Sequence, residues 1–189
     1  MKEIRLHGRG GQGVVMASRI LAEAFLIEGK YPIAFPMFGT ERRGGPVVAF
    51  VRFNDQPIRE KTQIYSPDCL VVTDASMKND PMVFSGLKTS GILVLNSTVP
   101  YKVLPHPNVR TIGIVDATGI ALQEIDLAVP NTCIVGVFAK VTGWLKLDSV
   151  LLSIEGYFRG SGLAKNIKCA QRGYNEVKII ESEQHEISN

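Results

Sequence analysis

The chain has 189 residues, of which 45% are hydrophobic and 21% charged, and its formal net charge is only +3. This composition is typical of a folded protein and excludes a mostly disordered chain. The basic residues are scattered along the sequence, which argues against a nucleic-acid-binding protein.

The first part of the chain is predicted to open with a strand, a glycine turn and a helix, the start of a βαβ unit. The helix has apolar residues at helical spacing and ends at Gly29, a C-cap residue. The predicted elements are a strand at 4–6, a turn at 8–13, a helix at 14–28, a short strand at 33–35 and a long loop at 36–46.

The remainder of the chain alternates short apolar strands with helices. The predicted strands are 47–53, 70–73, 92–95 and 110–115, and the predicted helices are 80–88, 116–127, 131–142, 150–158 and 165–180. This alternation predicts an α/β fold, a three-layer α/β/α sandwich with a mostly parallel sheet and a Rossmann-like opening. We expect one domain over residues 1–180, followed by a polar tail at 181–189.

The cysteines and the apolar segments indicate the cellular compartment of the protein. Cys69, Cys133 and Cys169 are odd in number and far apart, as expected of free thiols in a reducing compartment. The sequence has no signal-peptide pattern and no apolar run approaching the ~20 residues of a membrane span. We therefore expect a cytoplasmic protein.

The strongest local motif is GRGGQG at residues 8–13, between the first strand and the first helix. Glycines let a ligand approach main-chain N–H groups, and a helix N-terminus favours phosphate. The spacing of Gly8, Gly10 and Gly13 also satisfies the dinucleotide fingerprint. The alternative is a tight strand-to-helix crossover that binds nothing.

A nicotinamide dehydrogenase needs an acidic residue about 20 positions after the glycines to hold the ribose. No Asp or Glu occurs between Gly29 and Glu41. The sequence also has no C-x-x-C pair, no G-x-S-x-G elbow, no metal-ligand spacing among its three histidines, and no thiamine-diphosphate magnesium pattern. No catalytic or metal-binding residue is therefore predicted, and a phosphate loop without a reaction centre suggests part of a larger enzyme.

Four segments resemble a known family. They are HGRGGQGVV at 7–15, AFPMFGTERRGGPV at 34–47, NTCIVGVFAKVTG at 131–143 and KN at 165–166. Together and in this order they are similar to the gamma subunit, or the corresponding fused domain, of pyruvate:ferredoxin oxidoreductase and its relatives.

The resemblance implies a multi-subunit enzyme that oxidatively decarboxylates a 2-oxoacid to an acyl-CoA. It implies thiamine diphosphate, magnesium and iron–sulfur clusters on partner chains, which are thiamine-type alpha and beta subunits and a ferredoxin-like delta subunit. The gamma subunit is expected to contribute to the coenzyme A site and to assembly. Met37 and Thr40 depart from the residues expected in pyruvate enzymes, which suggests a branched-chain or aromatic 2-oxoacid such as phenylglyoxylate or indolepyruvate.

The predicted coenzyme A contacts begin with the glycine turn. Its members are Gly8, Arg9, Gly10, Gly11, Gln12 and Gly13. Backbone N–H groups from Gly10 to Gly13 are expected to face the phosphates, with Arg9 and Arg42 adding charge-assisted bonds. For Arg42, a subunit contact and a solvated surface residue are equal alternatives.

Three further candidates lie outside the glycine turn. Asn96 follows a buried strand at the carboxyl edge of the sheet, where α/β folds place ligands. Asn131 is either a coenzyme contact or a helix N-cap, and the same alternative applies to Thr132. Two other functions stay open at this point, a free-standing NAD(P)- or FAD-binding dehydrogenase and a non-catalytic scaffold subunit.

Overall fold

A computed structural model describes residues 1–37, 44–101 and 104–181. These residues form seven strands in one sheet. The strands are β1 (Lys2–Arg9), β2 (Tyr31–Met37), β3 (Pro46–Asn54), β4 (Cys69–Val72), β5 (Gly91–Asn96), β6 (Val109–Val115) and β7 (Lys178–Glu181).

Six α-helices occur in the same described ranges, together with a 3₁₀ turn at Ala75–Met77. The helices are α1 (Val14–Ile27), α2 (Pro81–Phe84), α3 (Ala117–Ile125), α4 (Asn131–Thr142), α5 (Leu147–Glu155) and α6 (Gly160–Glu176). None of the helices in these ranges has the length and apolarity needed to cross a membrane.

The strand order is β2-β3-β1-β4-β5-β6-β7, and the four central strands β1, β4, β5 and β6 are mutually parallel. The outer strands pair antiparallel, β3 with both β1 and β2, and β7 with β6. The strands that follow β1 in sequence, β2 and β3, lie on one side of it in the sheet, whereas β4 to β7 lie on the other side. The segments that follow β1, β4 and β5 therefore meet at one edge, beside this change of direction.

The two faces of the sheet are covered unequally. The five longer helices α1 and α3–α6 pack on one face in a large apolar core, where Phe25 stacks on Phe53 with ring centroids 3.7 Å apart. The 3₁₀ turn and the single-turn helix α2 pack over β4–β6 on the other face. The predicted α/β fold is confirmed, and its second helical layer is thin.

The thin face carries two buried arginines instead of a full helical layer. Arg52 has a side chain only 1% exposed, and its Nε lies 2.8 Å from a Glu3 oxygen. Arg5 donates to the carbonyl oxygens of Val83 and Ser85 and to Nε2 of His7, at 2.8, 2.7 and 2.9 Å. Burial, together with the Arg5 charge, lowers the pKa of His7 to about 3, so the imidazole is neutral and accepts this bond.

Several element boundaries differ from the sequence predictions. The helix predicted at 80–88 is the single turn α2, because the chain leaves helical geometry at Ser85 (ψ 124°) and Gly86 takes φ 72°. The last helix ends at Glu176 rather than near 180, since Val177 is extended (ψ 134°) and the chain adds β7 to the sheet. The polar tail predicted at 181–189 lies outside the described residues from 182 onward.

Candidate anion site at the glycine bend

The glycine bend is the turn of Gly10–Gly13 between β1 and α1. Gly11 and Gly13 have φ angles of 101° and 74°, a left-handed conformation that residues with a β-carbon adopt at a cost. A β-carbon at Gly13 would also lie 2.6 Å from Nδ2 of Asn131. Position 13 therefore requires glycine for two reasons, the left-handed backbone conformation and the close contact with Asn131.

The main-chain N–H groups of the bend fall into two sets. Gly10 N–H donates to the Gly45 carbonyl at 2.9 Å, and Gln12 N–H donates to the Arg9 carbonyl at 3.1 Å. The amides of Gly11, Gly13 and Val14 have no acceptor among the described residues. Of the four predicted backbone donors, those of Gly10 and Gln12 are thus occupied by the Gly45 and Arg9 carbonyls, whereas those of Gly11 and Gly13 have no acceptor in the part of the chain that the structure describes.

The start of helix α1 adds to the positive potential of the bend. Gly13 is its N-cap residue and provides no side-chain cap, and the first turn contains no acidic residue. The first amides of a helix lack partners within the helix and carry partial positive charge. The free N–H groups of the bend and of α1 together form an arrangement that suits a phosphate or another anion.

A clamp of side chains ties the bend to the end of β4. Gln12 donates through Nε2 to Asp74 at 2.7 Å, and its Oε1 accepts from the Arg9 N–H at 2.8 Å and from the Thr73 hydroxyl at 3.1 Å. Asp74 is also 3.5 Å from Nε of Arg9 and accepts from Ser76. Arg9, predicted as a phosphate ligand, is therefore paired with a carboxylate, and Gln12 holds the bend in place.

Gly8 is a packing residue within β1. A β-carbon there would lie 2.0 Å from the Thr73 hydroxyl oxygen and 2.6 Å from a methyl of Val14. This close approach allows β1, β4 and α1 to meet directly beneath the bend. Gly8 thus shapes the site without offering it a donor.

Asn96 is a structural link at the carboxyl edge. Its Nδ2 donates to the Thr73 carbonyl and to the Thr118 hydroxyl, both at 2.8 Å, and its Oδ1 accepts from the Thr118 N–H at 3.2 Å. The residue is 5% exposed. Its amide is thus engaged in joining β4, β5 and α3.

Asn131 and Thr132 have different surroundings although they are neighbours. Thr132 is fully buried, and its hydroxyl donates to Asn166 at 2.9 Å. Asn131 is the first residue of α4 and not its N-cap, which is Pro130; its Oδ1 accepts from the Thr132 N–H at 2.8 Å. Its Nδ2 lies against Gly13 and has no acceptor in the part of the chain that the structure describes, so Asn131 is the candidate that the fold brings to the bend.

Two functional candidates were missed in the sequence, Thr73 and Asp74. Both directly follow the buried strand β4, just as Asn96 stands at the end of the neighbouring strand β5. The position at the carboxyl edge that pointed to Asn96 in the sequence therefore also points to these two residues.

Arg42 and Thr40 lie outside the described residues. Among the described residues, no group of three His, Cys, Asp or Glu side chains is placed to hold a metal ion.

The clamp predicts an acid-sensitive bend. Burial acts to raise the pKa of the Asp74 carboxyl, but hydrogen bonds from Ser76 and Gln12 and the charge of Arg9 outweigh it and lower the pKa. The stabilisation is therefore complete above the ordinary aspartate pKa of about 3.9 and is lost as the pH falls through the lowered value. The Asp74→Asn variant loses the charge that holds the Gln12 side chain, so the bend should open more often. The main-chain N–H of Gln12 should then exchange with solvent about tenfold faster at neutral pH, as expected for a lost hydrogen bond to a charged group.

The measurement is amide hydrogen exchange of the full chain, corrected for intrinsic rates. In the unmodified chain, protection of the Gln12 amide should fall below pH 4, whereas the Asp74→Asn variant should lack this acid step. Asp80→Asn is the matched control, because Asp80 caps the remote helix α2 through Met82. Equal exchange in all three proteins would contradict the clamp.

Comparison with known proteins identifies the family. Residues 3–176 match the family model described as pyruvate ferredoxin/flavodoxin oxidoreductase. The chain is 46% identical over 181 residues to the gamma subunit of NADH-dependent phenylglyoxylate dehydrogenase from Aromatoleum evansii, covering 95% of each chain. It is 48% identical over 186 residues to the common gamma subunit of the pyruvate/ketoisovalerate oxidoreductases from Thermococcus kodakarensis, covering 96% of this chain and 100% of the relative.

A solved structure gives the same result. The crystal structure of the pyruvate oxidoreductase subunit PORC from Thermotoga maritima superposes with a TM-score of 0.84 at 39% identity, covering 95% of this chain and 98% of that one. The resemblance inferred from the four sequence segments is therefore confirmed. The chain belongs to the pyruvate ferredoxin/flavodoxin oxidoreductase family, in which it is a gamma-type subunit.

Proposed function

We propose that this gamma subunit binds coenzyme A at the glycine bend and presents it to the reaction centre on partner subunits. The observation that carries the proposal is a set of donors at one place that have no acceptor among the described residues, namely the main-chain amides of Gly11 and Gly13 and the side-chain Nδ2 of Asn131. Coenzyme A is an anion with three phosphate groups, and main-chain amides at a helix N-terminus are good phosphate donors.

The donors of this site suit binding of a ligand whose chemical reaction takes place on another subunit. The side chains beside the bend are engaged in the clamp of Gln12, Asp74 and Arg9, which fixes the main chain. Such a clamp keeps the amides pre-organised, so little ordering entropy is lost when phosphate binds. The thiol end of the coenzyme must then extend toward a partner chain.

The partner subunits complete the proposed enzyme. We propose thiamine-diphosphate-type alpha and beta subunits and a ferredoxin-like delta subunit, with thiamine diphosphate, magnesium and iron–sulfur clusters on those chains. The reaction is oxidative decarboxylation of a 2-oxoacid such as pyruvate, a branched-chain or an aromatic 2-oxoacid, and the isolated gamma chain is expected to be inactive. We place the complex in the cytoplasm, where the buried thiols of Cys69, Cys133 and Cys169 stay reduced.

The proposal is tested by calorimetric titration of the assembled complex with coenzyme A and, separately, with NADH. Coenzyme A should bind at one site per gamma subunit, and NADH should not compete for it. Binding of NADH in place of coenzyme A at the gamma subunit would favour a dinucleotide site. Normal coenzyme A binding by a complex that lacks the gamma subunit would show that the chain is a scaffold.

A further inference from the structure

A large pocket lies at the β7 end of the sheet, away from the glycine bend. It has a volume of about 630 Å³ and opens where β6 ends, α3 begins and α6 leads into β7. Its apolar walls come from Pro100, Ile114, Val115, Ile120 and Ile180. Binding pockets usually measure about 300–1,000 Å³, so this one has the size of a binding site.

The pocket borders a free edge of the sheet. β7 is the outermost strand, and in the described part of the chain it pairs only with β6. All four of its residues are exposed, Ile179 by 42% and Ile180 by 39%, and Lys178 and Ile180 line the pocket. Such an edge presents unpaired main-chain N–H and C=O groups to another chain. Because β7 is short, its backbone alone is a weak template, and the pocket supplies the additional contact area.

The opposite edge of the sheet is protected in a way that β7 is not. The outer strand there is β2, whose sequence YPIAFPM contains Pro32 and Pro36. Proline has no N–H to donate, so prolines on an edge strand hinder the addition of a further strand. The β7 sequence KIIE has no proline. Strand addition is therefore favoured at β7 and disfavoured at β2.

The charges of the pocket leave one cation available to an occupant. Arg172 is engaged by Glu124 and Glu176, at 2.8 and 2.6 Å, and the Asp116 carboxylate caps helix α3. Lys178 lines the pocket and forms no ion pair with any residue that the structure describes. An acidic side chain on the occupant therefore finds its counter-charge at Lys178.

We propose that an extended segment of a partner subunit pairs with β7 as an additional strand, with an apolar side chain in the pocket and an acidic side chain beside Lys178. In this mode of recognition the main-chain hydrogen bonds give affinity and the pocket gives specificity. The chain is a gamma-type subunit, so other chains are at hand to supply the segment. The inference rests on the proposed function only for the presence of partner subunits, and it does not depend on where coenzyme A binds.

A second copy of this chain fits the edge less well. When two β7 strands pair antiparallel about a two-fold axis, the side chains that come opposite each other lie on the same face of the sheet. Lys178 and Glu181 are the first and last residues of the four-residue strand, so their side chains face opposite sides. Self-pairing therefore cannot set Lys178 against Glu181, whereas a segment of different sequence can supply the acidic group.

The experiment measures the Kd of the full gamma chain for the remaining subunits of the oxidoreductase. Ile180→Lys should raise this Kd by roughly tenfold to hundredfold, the result of losing one buried aliphatic side chain from the interface. Lys178→Glu should raise it by about tenfold, because the charge that attracts the acidic side chain is reversed. Both residues are exposed in the gamma chain, so neither change disturbs its core.

Leu152→Lys and Lys61→Glu are the matched controls. Leu152 is 52% exposed on α5, Lys61 is exposed in the segment after β3, and neither lines the pocket. Both controls should leave the Kd unchanged. An unchanged Kd in the two β7 variants, or an equal rise in the controls, overturns the proposal.

The unmodified proteins provide a second test that does not depend on a variant. Amide exchange at residues 178–181 should be at least about tenfold slower in the assembled complex than in the full gamma chain alone. Equal exchange in the two samples overturns the proposal. Protection in the gamma chain alone that grows with its concentration identifies a second copy as the occupant, which also overturns it.

The proposed function fails separately from this inference. β7 lies four strands from β1 in the sheet, roughly 19 Å at the usual strand spacing, so β7 variants should leave the KM for coenzyme A of the saturated complex unchanged. The coenzyme A site is contradicted when a variant of the glycine bend leaves this KM unchanged, whatever the β7 variants do to assembly.

Discussion

Replacement of Gly13 by alanine is expected to raise the KM for coenzyme A of the assembled complex by about 100-fold. The added methyl group meets Asn131 Nδ2 at 2.6 Å, and alanine disfavours the φ of 74°. The bend must shift, which misplaces the free amides and the Asn131 donor together. Hydrogen bonds to a charged group contribute about 1.5–3 kcal/mol each, so loss of one or two accounts for the effect.

Steady-state kinetics with saturating 2-oxoacid measures this change, and Gly29→Ala is the matched control. Gly29 has the same φ of 74° at the other end of α1, and a β-carbon there meets nothing within 4 Å. The control therefore reproduces the backbone strain without the collision at Asn131. Equal KM values for the two variants would show that the effect comes from strain in general and not from the site.

Replacement of Glu3 by glutamine is expected to destabilise the full chain by about 3–5 kcal/mol, the usual cost of removing one partner from a buried ion pair. The Arg52 side chain is 1% exposed, and Glu3, 2.8 Å away, is 13% exposed. Glutamine has nearly the same size, so the change removes the charge and leaves the packing intact. The guanidinium then keeps carbonyl partners, such as that of Gln63 at 3.2 Å, and the largely solvent-exposed carboxylate of Glu60 at 3.4 Å.

Urea-induced unfolding measures the free energy, and Glu60→Gln is the control. Glu60 also pairs with Arg52, at 3.4 Å, but its side chain is 51% exposed. Exposed pairs contribute about 0–1 kcal/mol, so this variant should unfold at nearly the same urea concentration as the unmodified chain. A loss below 1 kcal/mol for Glu3→Gln would contradict the role of Glu3 as the buried counter-charge.

Much of the fold was predictable because its signals are local. The GRGGQG motif between an apolar strand and an amphipathic helix correctly predicted the opening of the sheet. The helix predicted at 116–127 is observed as α3, which Asp116 caps by accepting a hydrogen bond from the Gly119 N–H. β7 was missed, since Ile179 and Ile180 follow a helical stripe and their pairing with β6 joins residues far apart in sequence. Local periodicity carries no information about such a partner.

The site was predictable in outline and not in detail. The sequence predicted phosphate-facing amides from Gly10 to Gly13, but it could not show which of these amides the chain itself would occupy. Gly10 N–H is taken by Gly45, a residue 35 positions later, and Arg9 is taken by Asp74 at the end of β4. These contacts depend on the strand order, in which β3 and β4 flank β1.

The most direct test of the account is a structure of the assembled complex with coenzyme A bound. We expect the pyrophosphate within hydrogen-bonding distance of the Gly11 and Gly13 amides and of Asn131 Nδ2, with the thiol directed to a partner subunit. Coenzyme A bound wholly on other chains, with these three donors facing solvent or protein, would contradict the central claim.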